Sequence, residues 1–454
     1  MNFASKKLDQ TTTICAIATP MGKGAVALVR LSGNRALPII QSVFSNKEIK
    51  DRVSAFGKIY DGDKVLDHCV VTYFKAPRSF TGEDVIEIGL HGGLFLQKRM
   101  LDLLVEKGAQ LAEPGQFSLR AVLNGKMDLV QAEAIQQLIF AKSEKARKAA
   151  QQQLDGVLSK KIQTFQKQLI DIYALLEAWV DFPEEDLEFR SFDDVIKELT
   201  GIYEAIEHLL NTFDEGERLF LGVTLCLVGP PNAGKSTLLN LLLKKERAIV
   251  SEIAGTTRDF LQEELVLFDY PVRLIDTAGI REAKDQIEKM GVERSKVLSK
   301  NADINLVVFD INAVVLQDFL QFLSHFDKER TLVVWNKCDL KIKPPVCLEF
   351  PSVEISCKSG TNVDRFYHLL EKMIKEKGID DQEEVLLTNK RHALALKEAN
   401  EHLQEVIIGI KQQRSAECVV FDLKKALEAL STVIGQDIQN ALLDAIFSQF
   451  CLGK

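Results

Sequence analysis

Short apolar runs broken by turn residues fill the chain from Thr13 to about Gln116. The β-branched and aromatic runs at 25–31, 65–74 and 85–90 predict strands. Gly92 and Gly93 open a predicted helix of roughly three turns that stops at Gly108. From Asp128 to about Phe213 the text becomes rich in Leu, Ala, Gln and Lys, with apolar residues three and four apart. That spacing predicts long helices, interrupted by Pro183 and the acidic run Glu184, Glu185 and Asp186. A third pattern begins near Gly222, where apolar runs at 223–228, 272–275, 304–309, 332–335 and 353–355 alternate with helical stretches. This is the rhythm of a doubly wound α/β domain. Helical text returns after about Gly378 and runs to the C-terminus. The expected organisation is an N-terminal α+β domain (1–120), an all-α helical domain split in sequence (121–216 and 379–454), and an α/β domain (217–378) inserted into it.

A length of 454 residues also calls for two or three domains. With 46% hydrophobic and 27% charged residues the composition is that of a soluble globular protein. No run of eighteen apolar residues predicts a membrane span. Residues 1–13 lack the apolar core of a signal peptide and, with Asp9 and no arginine, do not read as a transit peptide. The eight cysteines, at 15, 69, 226, 338, 347, 357, 418 and 451, include no C-x-x-C pair. That spacing suits a reducing cytoplasm better than a zinc site or a disulfide framework. A net charge of −8 argues against indiscriminate nucleic-acid binding. The small basic cluster Lys142, Lys145, Arg147 and Lys148 reads as the solvated face of a helix.

Four motifs inside the α/β segment carry chemistry. G-P-P-N-A-G-K-S at 229–236 follows a predicted strand and precedes a helical run at 237–243, the context of a phosphate-binding loop. Its glycines let the backbone N–H groups of the segment through Asn232, Ala233, Gly234 and Thr237 close around phosphates. Lys235 is placed to reach the β- and γ-phosphates, and the Ser236 hydroxyl to ligate Mg2+. G-T-T-R-D at 255–259 offers Thr256 or Thr257 to sense the γ-phosphate and complete the metal shell, with Thr257 the better placed. In D-T-A-G at 276–279, Asp276 ends an apolar strand as a carboxylate holding the Mg2+ shell should. Gly279 can bring its N–H close to the γ-phosphate because no side chain blocks the approach.

N-K-C-D supplies Asn336, Lys337 and Asp339 after another strand. A carboxylate at Asp339 accepts from the two N–H groups of guanine, and adenine would leave it unpaired. Ser356, Cys357 and Lys358 resemble the last guanine-contact loop of such domains, with Cys where Ala is commoner. Together the motifs imply a Ras-like phosphate-loop G domain that binds and hydrolyses GTP. Ile280 occupies the position where Ras-like enzymes carry the glutamine that orients the attacking water. Glu288 either acts through an intervening water or is simply an exposed helix glutamate.

The chain resembles the MnmE (TrmE) family of bacterial tRNA-modification GTPases over essentially its whole length. G-T-T-R-D carries the likeness, with F-T-G-E-D at 80–84, H-G-G at 91–93, E-P-G-Q-F-S at 113–118, D-F-P-E-E-D at 181–186 and the terminal F-C-L-G-K at 450–454. The resemblance implies that Asn232 helps ligate a K+ ion standing where an arginine finger's charge would be. It also implies that Glu288 is the general base or water-positioning group when two G domains meet face to face. The N-terminal domain would dimerise and bind a folate one-carbon donor, formyl- or methylene-tetrahydrofolate, with Arg30, Glu83 and Lys126 as candidate contacts. In this chain Met21 and Lys23 sit in T-P-M-G-K-G, where P-P-G is commoner.

Cys451 would serve tRNA modification near the folate site, whereas from sequence alone it is an incidental terminal cysteine. The implied partner is the flavoprotein MnmG, which carries FAD and NADH and joins the homodimer in a heterotetramer. The implied product is an aminomethyl or carboxymethylaminomethyl group on C5 of the wobble uridine of certain tRNAs. Two competing readings stand beside this one. A ribosome-assembly or signalling switch would share the G domain but usually adds an RNA-binding module. A folate-dependent methyltransferase with a vestigial G domain is opposed by the complete nucleotide motifs.

Overall fold

Alternation of apolar and polar side chains builds the first sheet. The computed structural model describes residues 11–20, 22–181, 191–245, 262–276, 299, 302–313, 316–340, 349–376, 386–436 and 440–453, and elements are numbered through these. Strands β1 (Ile14–Ile17), β2 (Val26–Ser32), β3 (Ser54–Asp61), β4 (Lys64–Phe74), β5 (Val85–His91) and β6 (Gln110–Leu111) lie in the order β3-β4-β5-β2-β1-β6. All neighbours are antiparallel except β1 and β6. Ala27, Val29 and Leu31 on β2 and Ile86, Ile88 and Leu90 on β5 face inward. They pack with Ile39 and Ile40 of α1 (Ala36–Val43) and Met100, Leu103 and Leu104 of α2 (Leu94–Glu106). The three predicted strands and the helix after Gly93 are present. Strands β1, β3 and β6 escaped the pattern: β1 is four buried residues without alternation, and Gly57 and Lys58 interrupt β3.

The chain divides into two compact units: Met1–Gln136 with Gln153–Leu199 and Glu398–Lys454, and Gln137–Gln152 with Thr200–Lys397. Helices α3 (Gln116–Leu123), α6 (Val157–Asp181), α13 (Ala416–Ile434) and α14 (Asn440–Phe447) belong to the first. There the Gln166 amide of α6 donates to the Ser431 hydroxyl of α13 at 3.0 Å, joining helical text from either side of the α/β segment. Leu119, Leu129, Phe447 and Phe450 form a further apolar cluster. Helices α4 (Leu129–Phe140), α7 (Phe192–Asn211) and α12 (Lys390–Lys411) have residues in both units. The predicted break at Pro183 lies outside the described residues.

In the second unit the sheet order is β12-β11-β10-β7-β9-β8. Its strands are β7 (Val223–Val228), β8 (Gln262–Leu267), β9 (Tyr270–Asp276), β10 (Ile304–Asp310), β11 (Thr331–Asn336) and β12 (Ser352–Glu354). Pairing is parallel except between β8 and β9. Leu227, Leu306 and Val334 face one core, and Val228, Val307 and Trp335 face the other. Burial on both faces explains the near-continuous apolar text of these strands. Helix α5 (Glu144–Leu154) also has residues in both units, and α8 (Phe213–Leu221), α9 (Lys235–Lys245), α10 (Leu316–Leu323) and α11 (Val363–Glu376) complete the element list. The chain runs from β7 to β8 and β9 on one side and then crosses to β10 on the other, and such a switch point, between β7 and β10, opens a crevice at the strand carboxyl ends.

The entry and exit of the α/β segment are adjacent. The Leu387 N–H donates to the Thr212 hydroxyl at 3.1 Å. A Cβ at Gly216 would lie 2.1 Å from the Leu387 carbonyl oxygen, so only glycine fits. One sequence expectation needs correction here. Lys142 pairs with Glu264, and the Lys145 ammonium lies 3.0 Å from the Tyr270 hydroxyl and 4.9 Å from the centre of its ring. The Glu144 N–H donates to Asp269 at 3.0 Å. The β8–β9 hairpin thus engages two of the four cations. Arg147 and Lys148 do remain on an exposed face.

Candidate nucleotide site

The phosphate loop follows β7 at the carboxyl edge of the sheet. Gly229 has φ +147° and Gly234 has φ +95°, conformations that favour glycine. A Cβ at Gly229 would lie 2.1 Å from the Val308 carbonyl oxygen, and one at Gly234 would lie 2.0 Å from the Asn336 amide nitrogen. The loop backbone therefore packs directly against β10 and Asn336, an approach that a side chain at either position would block. Asn232, exposed, stands in the left-handed region at φ +60°. Lys235 begins α9 and folds its ammonium onto the carbonyls of Gly229 (2.7 Å) and Pro230 (2.8 Å). Ser236 and Thr237 are exposed in the first turn of α9, where unsatisfied N–H groups and the helix dipole favour an anion. These N–H groups and the open hydroxyl fit a polyphosphate with its metal.

Asn336, at the end of β11, ties the loop at Ala233 to the loop at Cys357. Its buried amide donates to the Ala233 carbonyl at 2.9 Å. Its oxygen accepts from the N–H groups of Lys337 (2.8 Å) and Cys357 (3.2 Å). Ser356 is buried, and its hydroxyl accepts from the Ser359 N–H at 3.1 Å, closing the loop that bears Cys357 and Lys358. Burial pushes the Cys357 thiol up to about 11. Asp339 and Lys358 are exposed beside this knot. The sequence thus brings Asn232, Ala233, Gly234, Lys235, Asn336, Lys337, Ser356 and Cys357 into one neighbourhood. Asp276 ends β9, paired with Leu227 of β7. Thr256, Thr257, Gly279 and Glu288 lie outside the described residues.

Arg30, Glu83 and Lys126 fall near one another in the first unit, each already engaged. The Arg30 guanidinium donates to Glu87 at 2.7 Å and lies 5.6 Å from the Phe80 ring centre and 5.8 Å from that of Phe117. Two residues along the same strand, the Ser32 hydroxyl donates to Glu83 at 2.7 Å. Glu83 also pairs with Arg120 at 2.9 Å. The exposed Lys126 donates to the Pro77 carbonyl at 3.0 Å, and its stem flanks Gly82. Arg120 was missed from the sequence, although a lone arginine in the helical run F-S-L-R-A-V-L is a usable signal of a buried charge. The C-terminal segment docks in the same region. Gly453 presents its carbonyl to Arg30 at 3.3 Å, and the Cys451 carbonyl accepts from the Gly115 N–H at 3.4 Å. Cys451 is half-buried there.

A glycine-rich loop at the switch point of a parallel sheet, tied through Asn336 to an N-K-x-D loop, defines a phosphate-loop nucleotide-binding domain of the guanine-reading kind. Residues 13–126 match the family described as GTP-binding protein TrmE N-terminus, and residues 129–451 match the MnmE helical domain. The tRNA modification GTPase MnmE of Protochlamydia amoebophila is 41% identical, covering 100% of both chains. That of Aquifex aeolicus is 44% identical over 97% of this chain and 99% of its own, and that of Cytophaga hutchinsonii 40% identical over 98% of each. The chain belongs to the MnmE family of tRNA modification GTPases.

Proposed function

We propose that this family member is a K+-activated GTP hydrolase that acts as a homodimer. Together with the flavoprotein MnmG, which carries FAD and uses NADH, it modifies C5 of the wobble uridine of certain tRNAs in the cytoplasm. The observation that carries the nucleotide part is the Asn336 amide. It bonds the phosphate loop at Ala233 and the base loop at Cys357 at once, so that filling one side orders the other.

In this reading the backbone N–H groups of the loop and Lys235 hold the phosphates, and Asp339 takes the two guanine N–H groups. When bound, Mg2+ on Ser236 and Thr257 and K+ on Asn232 supply positive charge where the β–γ bridging oxygen gains negative charge. Asp276 orients the metal's water shell, and Thr256 and Gly279 approach the γ-phosphate. Glu288 positions the attacking water, the work for which Ile280 has no polar group. Arg30 and Lys126 are suited to the carboxylates of a formyl- or methylene-tetrahydrofolate, with the Phe80 and Phe117 rings beside Arg30. Glu83 borders that region, and Cys451 serves the modification chemistry.

Nucleoside analysis of tRNA from a deletion strain tests the whole reading, and a wobble-uridine modification that survives the deletion overturns it. GTP turnover compared in K+ and Na+ at equal ionic strength tests Asn232, with equal rates discarding that assignment. Glu288→Ala is expected to cut turnover with nucleotide affinity nearly intact.

A further inference from the structure

The end of β10 carries an acid that the nucleotide motifs do not include. Asp310 is 18% exposed, and its Oδ2 accepts from the Lys337 ammonium at 2.7 Å. Its Oδ1 accepts from the backbone N–H of Asn312 at 3.0 Å and from that residue's amide at 3.1 Å. Both oxygens are therefore committed, and the carboxylate has one orientation. Burial pushes the carboxyl up, but the hydrogen bonds from Lys337 and Asn312 outweigh it and hold it below the usual aspartate range. The same Lys337 ammonium donates to the Asn232 carbonyl at 2.9 Å. Lys337 has φ +64° and Asn232 φ +60°, so the ammonium staples together two backbone turns that L residues adopt reluctantly. The neighbouring Ile311 N–H donates to the Asn336 carbonyl at 3.0 Å, continuing the link from β10 to the base loop.

We propose that Asp310 is a positioning residue for nucleotide binding: it fixes Lys337 across the Asn232 carbonyl and so couples the guanine-reading loop to the phosphate loop. An ordinary surface ion pair would contribute little. This one differs because its lysine has a second acceptor on the loop that holds the phosphates. Neither contact involves the γ-phosphate, so GDP and GTP should depend on it alike. Resting on the proposed K+ role of Asn232, loosening that loop should also raise the K+ concentration needed for half-maximal turnover.

Asp310→Asn keeps the shape and one acceptor but removes the charge. In the full-length protein it is expected to weaken GDP and GTP binding equally, by about tenfold as befits a charge-assisted bond. It should raise KM more than it lowers kcat, while the nucleotide-free melting temperature stays near the original. Adding Asp310→Asn to Lys337→Gln should weaken binding no further, since both cut one link. Unchanged affinity, fully additive losses, or an affinity loss that tracks melting of the nucleotide-free protein each overturn the proposal. If the unmodified protein is indifferent to K+, the cation assignment fails, and the affinity comparison still judges Asp310.

Discussion

Glu83 meets Arg120 at 2.9 Å, and the guanidinium of that pair has no solvent exposure. The arginine also reaches the Ser32 carbonyl at 3.4 Å, so it anchors α3 beneath β2. Removing the carboxylate would take from this buried charge the acid it meets at 2.9 Å. Glu83→Ala should therefore cost about 3–5 kcal/mol of unfolding free energy. Urea unfolding of the N-terminal segment checks this, and a loss under about 1 kcal/mol would free Glu83 for a purely ligand-facing role.

The Lys145–Tyr270 contact gives a second test. Tyr270→Phe keeps the ring beneath the ammonium but deletes the acceptor, and should destabilise by about 0.5–1.5 kcal/mol. Lys145→Ala loses both interactions. A double-mutant cycle should show coupling of about 0.5 kcal/mol or more, and additive effects would mean that the hairpin is held by other groups.

Buried thiols set a third expectation. Burial pushes Cys15 and Cys69 up to about 12, from an ordinary value of 9.0. The folded state thus holds protons that the unfolded state releases, so these groups are neutral to stability below about pH 9 and subtract from it as pH rises further. Alkylation at pH 8 should label the exposed Cys418 first and reach Cys15 and Cys69 only on unfolding. Comparable rates for Cys15 and Cys418 would contradict the burial.

Docking of the C-terminal segment depends on one glycine. Gly453 has φ +85°, and a Cβ there would lie 2.3 Å from the Ile17 carbonyl oxygen. Gly453→Ala should cost at least roughly 1 kcal/mol locally and release the segment from Arg30. The readout is the alkylation rate of Cys451, which should rise. An unchanged rate would show that the docking does not need this glycine.

Much of the nucleotide site was legible because its chemistry is local. Gly229, Gly234 and Lys235 lie within a few residues, on a strand–loop–helix whose apolar run and helical spacing are visible in the text. The strand-end acid that singled out Asp276 has a twin in Asp310, but nothing local says that its partner is Lys337, 27 residues on. Lys142 and Lys145 misled for the same reason: their partners Glu264 and Tyr270 are more than a hundred residues away. Strand β8 went unread because an antiparallel edge strand that begins Gln262, Glu263, Glu264 lacks the apolar run of its buried neighbours.

The sequence by itself determined where strand-rich text gives way to helical text, the guanine-nucleotide motifs and the family, since each is written in short spacings set by backbone geometry. The tertiary structure alone decided which charges meet. It placed Asp310 on Lys337, Arg120 under Glu83 and Gly453 against Ile17. Such pairings follow from how strands distant in the chain come into register, and a buried charge is tolerable only where folding delivers its partner.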